Sequence, residues 1–337
     1  MRRDGWGSFN DLDKLISKNY GLKIYRSELI RKIIKLTTNQ GVKALKLVNI
    51  PYSRYIFTCE VMEHARNNGF YNIPEVLPSL DGKKGIETKE GIIMINDWVN
   101  AEEVKYSSDL QLKQTTVALA QLHRASERFK PSKNTKPKIL WGKWIKNFNC
   151  RCKQMLMFKK IAESKSKKSD FDNKVIEFTD YFYDRGMKAI HGLEKDNYSR
   201  VSEKIKKKRT FCHHDLGHQN VLFTQDNDIY FIDFDDCILD MTIHDLANFI
   251  IRNVRYKPLN MDKVRFILKT YDKENSVSEQ EMRIMRDFIT FPQEFWELEV
   301  RYYKYPEKYP WPEEEFNMKL NRVINDIPTM EVCVNKF

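Results

Sequence analysis

The segment that most restricts the possible folds of this chain is Cys212-His213-His214-Asp215-Leu216-Gly217-His218-Gln219-Asn220, with the two apolar runs that follow it. Runs 221–223 and 229–232 flank the turn-forming residues Gln225-Asp226-Asn227-Asp228, a pattern that predicts two antiparallel strands. Pairing about that turn sets the start of the first strand beside the end of the second, so Asn220 and Asp233 emerge at one open end. Asp215 lies just upstream, on the loop that enters the hairpin.

Asn220 and Asp233 carry oxygen ligands suited to a hard cation. A carboxylate at position 215 is placed to take a proton from, or to orient, an attacking hydroxyl while a metal neutralises phosphates. Asp and Asn are also common loop residues, so the preceding His213 and the following Ile232-Asp233-Phe234-Asp235 are what lift the pattern above chance.

At 337 residues with 41% hydrophobic content, the chain suits two lobes with sizeable cores. No apolar run is long enough to cross a bilayer, and Met1-Arg2-Arg3-Asp4-Gly5-Trp6 has no secretory apolar core, which argues for an intracellular protein with no membrane partner. The six cysteines are too scattered for a disulfide scaffold, and Cys150-x-Cys152 reads as a helix-surface coincidence rather than a metal site. The net charge is +11, concentrated in runs such as Lys204-Ile205-Lys206-Lys207-Lys208-Arg209. Without interleaved aromatics these runs point to solvated faces, and nucleic acid is not expected as a partner.

Upstream, the first hundred residues read as a small sheet with one helix. Runs 29–36 and 42–48 flank Asn39-Gln40-Gly41, a hairpin signature, and Lys46 shares a strand face with Val42, Ala44 and Val48. That is where a phosphate-binding lysine belongs. Ser53 predicts the cap of a helix over 54–68 that ends at Gly69; Glu60 is expected to turn inward toward Lys46 and Glu63 to face solvent. The apolar run 92–95 leads into a polar connector, which divides the chain into an N-terminal nucleotide-binding lobe over 1–97 and a helical lobe over 98–337. Helices are expected over 109–124, 141–160, 172–193, 261–271 and 278–303. The aromatic tail around Trp296, Tyr302, Tyr303 and Trp311 reads as packing.

The order Ala44-Leu45-Lys46, Glu60, Leu119-Ala120-Gln121-Leu122-His123, His213-His214-Asp215 to Asn220, Ile232-Asp233 and Asp245-Leu246-Ala247 resembles the aminoglycoside phosphotransferase and choline kinase group of the protein-kinase-like fold. Within that group it is most similar to the CotS-like spore coat proteins, from Tyr20-Gly21-Leu22 through Asn197-Tyr198 to Asp240-Met241-Thr242-Ile243-His244-Asp245-Leu246. The resemblance implies an α+β, bilobal fold with a small antiparallel-sheet lobe and a mainly helical lobe. It implies ATP and Mg2+ as cofactors, with Lys46 on the nucleotide phosphates, Glu60 orienting it, Asp215 as catalytic base, and Asn220 and Asp233 as metal ligands. Asp235 would either assist a second metal or face solvent. Asp245 and His213 would brace the catalytic loop.

The implied function is phosphoryl transfer to a hydroxyl of a small molecule or a coat component, in a protein assembled into the spore coat beside other coat proteins. The alternative is a non-catalytic coat assembly protein on a kinase-like scaffold. One departure from the family pattern supports that alternative: where a glycine-rich loop should cover the phosphates, residues 29–38 contain no glycine.

Overall fold

The computed structural model describes residues 9–255 and 261–337, so the N-terminal hexapeptide read above lies outside the described residues. The chain forms two compact units: the first takes it up to Ile139 together with Arg209–Leu239, and the second takes Leu140–Lys208 with Asp240–Phe337. The position 97/98, where the sequence suggests a lobe boundary, lies within the first unit.

The first unit opens with helix α1 (Phe9–Tyr20) and the strands β1 (Ile24–Ile30), β2 (Ile33–Thr38) and β3 (Gly41–Val48). Helix α2 (Tyr52–Asn67) precedes β4 (Ile86–Glu87) and β5 (Ile92–Asp97), and the five strands form an antiparallel sheet in the order β1-β2-β3-β5-β4. The side-chain alternation of β3 decides what each face of this sheet does. Leu45 packs with Leu36, Ile93 and Ile95 against Leu12, Ile16 and Tyr20 of α1. Val48, with Ile92 and Met94 of β5, packs against Tyr55 and Cys59 of α2. Lys46 has the parity of Val48 and pairs across the ladder with Met94, so it lies on the α2 side.

Three local expectations give way here. The one-helix reading of this region omits α1, although Leu12, Ile16 and Tyr20 recur at helical spacing and are all buried. The run 29–36 is not one strand: it folds back at Arg31-Lys32, with Ile30 paired to Ile33. Ser53 is not the cap of α2, whose N-cap is Pro51 without a side-chain hydrogen bond.

The unit is completed by β6 (Ala101–Glu103), helix α3 (Asp109–Ala125), β7 (Val221–Thr224) and β8 (Ile229–Phe231), with a second antiparallel sheet in the order β6-β7-β8. β7 and β8 form the hairpin expected from the sequence, in the register Val221 to Phe231.

The second unit is helical: α4 (Trp144–Ser164), α5 (Asp170–Lys195), α6 (Tyr198–Lys206), α7 (Ile243–Val254), α8 (Met261–Glu274), α9 (Glu279–Thr290), α10 (Gln293–Glu299), α11 (Glu313–Asn325) and α12 (Ile327–Lys336). Stacked rings such as Trp144 on Tyr198, Phe148 on Phe291 and Phe171 on Tyr302 fill its core, so part of the aromatic tail packs as expected. A Cβ on Gly186 of α5 would meet Cys152 Sγ of α4 at 2.5 Å, so glycine at that position permits close helix contact. The expected helix over 278–303 is interrupted at Phe291-Pro292, because proline has no N–H to donate and its ring clashes with the preceding turn. Among the described residues, no helix is long and apolar enough to cross a membrane.

Candidate active site

The predicted site residues other than Glu60 converge within the first unit. A 3-10 turn at His218–Asn220 leads into β7, and Ile232 N donates to Asn220 O at 3.0 Å, which ties the two ends of the hairpin together. Asp233 follows in a left-handed backbone conformation (φ 65°, ψ 66°), a bend that turns its carboxylate out of the strand line. Asn220 Nδ2 donates to Asp215 O at 3.0 Å and to Asp215 Oδ2 at 2.8 Å. These bonds occupy the amide nitrogen and leave its oxygen as the acceptor atom for a cation.

His213 holds the loop from beneath. It is fully buried, its Nδ1 accepts from Asp215 N at 3.3 Å, and its Nε2 lies 2.9 Å from Ile232 O. Accepting at one nitrogen leaves the other to donate to the carbonyl, so a neutral ring links the Asp215 loop to the end of β8. Phe234 packs 4.4 Å from the His213 ring, centroid to centroid.

Lys46 reaches this hairpin from the other sheet. Its Nζ lies 2.7 Å from Asp233 Oδ1 and 2.7 Å from Asp235 Oδ2, with the lysine side chain 17% exposed and the carboxylates 43% and 23%. Burial opposes the ammonium charge, but the Asp235 and Asp233 carboxylates outweigh it, and the Lys46 pKa is raised. Burial also raises the Asp235 pKa, and there the nearby Lys46 only partly offsets it. One ammonium shared between two acids therefore stays charged. The sequence left open whether Asp235 faces solvent; the structure places it inward, against Lys46.

Glu60 does not pair with Lys46. Its Oε2 accepts from Ser132 N at 3.0 Å. The reason is helical phase: Thr58 and Met62 of α2 line the cavity beside Lys46, and Glu60, two residues from each, points to the opposite side. Arg54, four residues before Thr58, belongs to the same face and donates to Asp235 O at 3.0 Å and to Cys237 O. Its i, i+4, i+8 spacing with Thr58 and Met62 was the signal available in the sequence. Glu63 pairs with Lys84 at the surface, as its expected solvated position allows.

Lys46, Asn220, Asp233 and Asp235 all border one cavity of about 570 Å³. Ala44, Met94, Val99, Leu222 and Ile232 add apolar walls, and Asp97 and Trp98 also line the cavity. This is the size and character of a small-molecule or cofactor pocket. Among the described residues no three His, Cys, Asp or Glu side chains form a metal cluster. The donor set instead fits Mg2+, which takes one or two carboxylates and draws further ligands from phosphates and water.

A family model described as spore coat putative kinase YutH matches residues 13–337. The chain belongs to this spore coat kinase-like family. It is also 22% identical over 299 residues to spore coat protein S of Bacillus subtilis (strain 168), an overlap of 88% of this chain and 83% of that protein. Among solved structures it is similar to an aminoglycoside phosphotransferase from Alicyclobacillus acidocaldarius, with a TM-score of 0.82 at 16% identity over 99% of this chain and 96% of that one. A spectinomycin phosphotransferase solved in complex with ADP and spectinomycin matches with a TM-score of 0.63 at 17% identity, covering 95% and 98%. The family member thus has the α+β kinase-like fold that its motifs imply.

Proposed function

We propose that this spore coat kinase-like protein binds ATP with Mg2+ and transfers the terminal phosphoryl group to a hydroxyl of a small molecule or a coat component. The observation that carries the reading is the Lys46 ammonium held 2.7 Å from both Asp233 and Asp235 at the wall of a cavity that also exposes Asn220. In this reading Lys46 binds the phosphates, Asn220 and Asp233 hold the metal, and the apolar walls take the adenine. Asp215, oriented by Asn220 and by the His213 bracket, accepts the hydroxyl proton as the new O–P bond forms and the bond to the ADP oxygen breaks. Mg2+ bound there supplies charge neutralisation on the phosphates. The ADP complex of the spectinomycin phosphotransferase supports nucleotide use by this fold.

The test is a thermal shift. ATP raises the melting temperature only when Mg2+ is present, and Asp233→Ala abolishes the shift; no shift with any nucleotide overturns the proposal.

A second reading, a coat assembly protein without turnover, is favoured by the glycine-free turn between β1 and β2. It is separated from the first by Asp215→Asn, which leaves nucleotide binding and folding intact. Coat assembly impaired as badly as in a deletion strain rules out the purely architectural role.

A further inference from the structure

The β1–β2 turn, which departs most from the family pattern, is built from residues that line the cavity. Ile30 and Ile33 pair across the ladder, and only Arg31 and Lys32 connect them. Arg31 takes a φ of 57°, a left-handed conformation that glycine adopts more readily and that a larger residue adopts at a cost. All four residues line the 570 Å³ cavity. So tight a turn cannot wrap a row of backbone N–H groups around an anion in the way a longer glycine loop does. Its two connecting residues carry a guanidinium and an ammonium instead.

The charge count of the lining makes these two groups decisive. Arg31, Lys32 and Lys46 face Asp97, Glu103, Asp233 and Asp235, three cations against four carboxylates. Asp97 is paired with Lys43, so with the turn's two cations removed Lys46 alone would oppose Glu103, Asp233 and Asp235, and a polyphosphate would enter a net negative site. Arg31 is also held in place. Its Nη1 pairs with Glu103 Oε1 of β6, so the ion pair joins the roof strands to the second sheet of the same unit. The Arg31 side chain is 67% exposed and that of Glu103 32%, and an ion pair this open is weak and exchanges readily for a better anion.

We infer that Arg31 and Lys32 form a side-chain phosphate clamp that replaces the glycine-rich loop, Arg31 leaving Glu103 for a phosphate oxygen when a nucleotide polyphosphate binds. The guanidinium suits that exchange because it meets phosphate through two parallel N–H···O bonds. Glu103 keeps Arg31 near the mouth until the exchange occurs. This inference rests on the proposed nucleotide site and adds the groups that select for polyphosphate within it.

The experiment measures the binding of ATP, ADP and adenosine to the full chain with Mg2+ by competition against a fluorescent ATP analogue. The double variant Arg31→Gly with Lys32→Ala suits the positive φ and keeps the turn. It weakens ATP binding by about tenfold or more while adenosine affinity stays within about twofold. Glu103→Gln releases Arg31 and tightens ATP by a few fold. Unchanged ATP affinity in the double variant overturns the clamp while leaving the nucleotide site standing, and an equal loss for ATP and adenosine reduces the turn to a structural role. A wild-type chain that binds no nucleotide overturns the proposed function as well.

Discussion

At the scale of single residues, the pairing of Lys46 shows how position on an element overrides a motif. Sequence order makes Glu60 the natural partner of the lysine, but Asp235, next to nearest neighbour of Asp233, occupies that place at 2.7 Å. An acid two residues past the expected metal ligand can do so because the left-handed Asp233 is followed by a 3-10 turn over Phe234–Asp236, which brings the second carboxylate back toward the sheet. The consequence is specific. Asp235→Asn lowers affinity for Mg-ATP by about tenfold because Lys46 loses one of two charged partners in a part-buried setting, whereas Glu60→Gln leaves it at the wild-type value. Isothermal titration of both variants decides it, and equal losses would restore Glu60 to the site.

At the scale of elements, the cap of α9 is written in the sequence, whereas Ser53 does not cap α2 and the turn at Arg31-Lys32 has no turn-forming residue. Ser278-x-x-Glu281 is a capping-box pattern in the sequence, and it opens α9 with Ser278 Oγ accepting from Glu281 N at 3.3 Å. Ser278→Ala should cost about 1 kcal/mol, measurable as a lower denaturation midpoint without a change in slope. The far end of the same expected helix shows the opposite case. Phe291-Pro292 divides it into α9 and α10, and the chain then passes through a π-helical turn, Val300–Lys304. The Arg31-Lys32 turn was less legible, since neither residue is a turn former and the apolar residues on both sides favour one continuous strand. What closes it is pairing: Ile30 with Ile33 and Ile33 with Lys46 place β2 between β1 and β3.

At the scale of the whole molecule, the second unit carries buried acids that its packing does not satisfy. Glu299 is fully buried, neither carboxylate oxygen has a hydrogen-bond partner, and burial drives its pKa well above the usual range. Asp287 of α9 is raised by burial to about 6 from 3.8, against the pull of Arg286. Both groups are held protonated more firmly in the folded chain than in the unfolded one. Their contribution is therefore complete below the ordinary carboxylate pKa and, for Asp287, is lost as the pH rises through about 6. The melting temperature should drop over that window by on the order of 2–4 °C, and Asp287→Asn should flatten the drop, as differential scanning calorimetry across pH will show. A wild-type chain with no slope there contradicts the assignment. The residue order carried the resemblance to the kinase-like fold, and local turn chemistry and strand alternation determined the β7–β8 hairpin and brought Asp215, Asn220 and Asp233 to one end of it, because those residues are close in the chain. Only the tertiary structure decided which carboxylate meets Lys46 and how the cavity roof is built. Lys46 lies 187 positions before Asp233, and contacts over that distance depend on helix phase and sheet order, which no local pattern encodes.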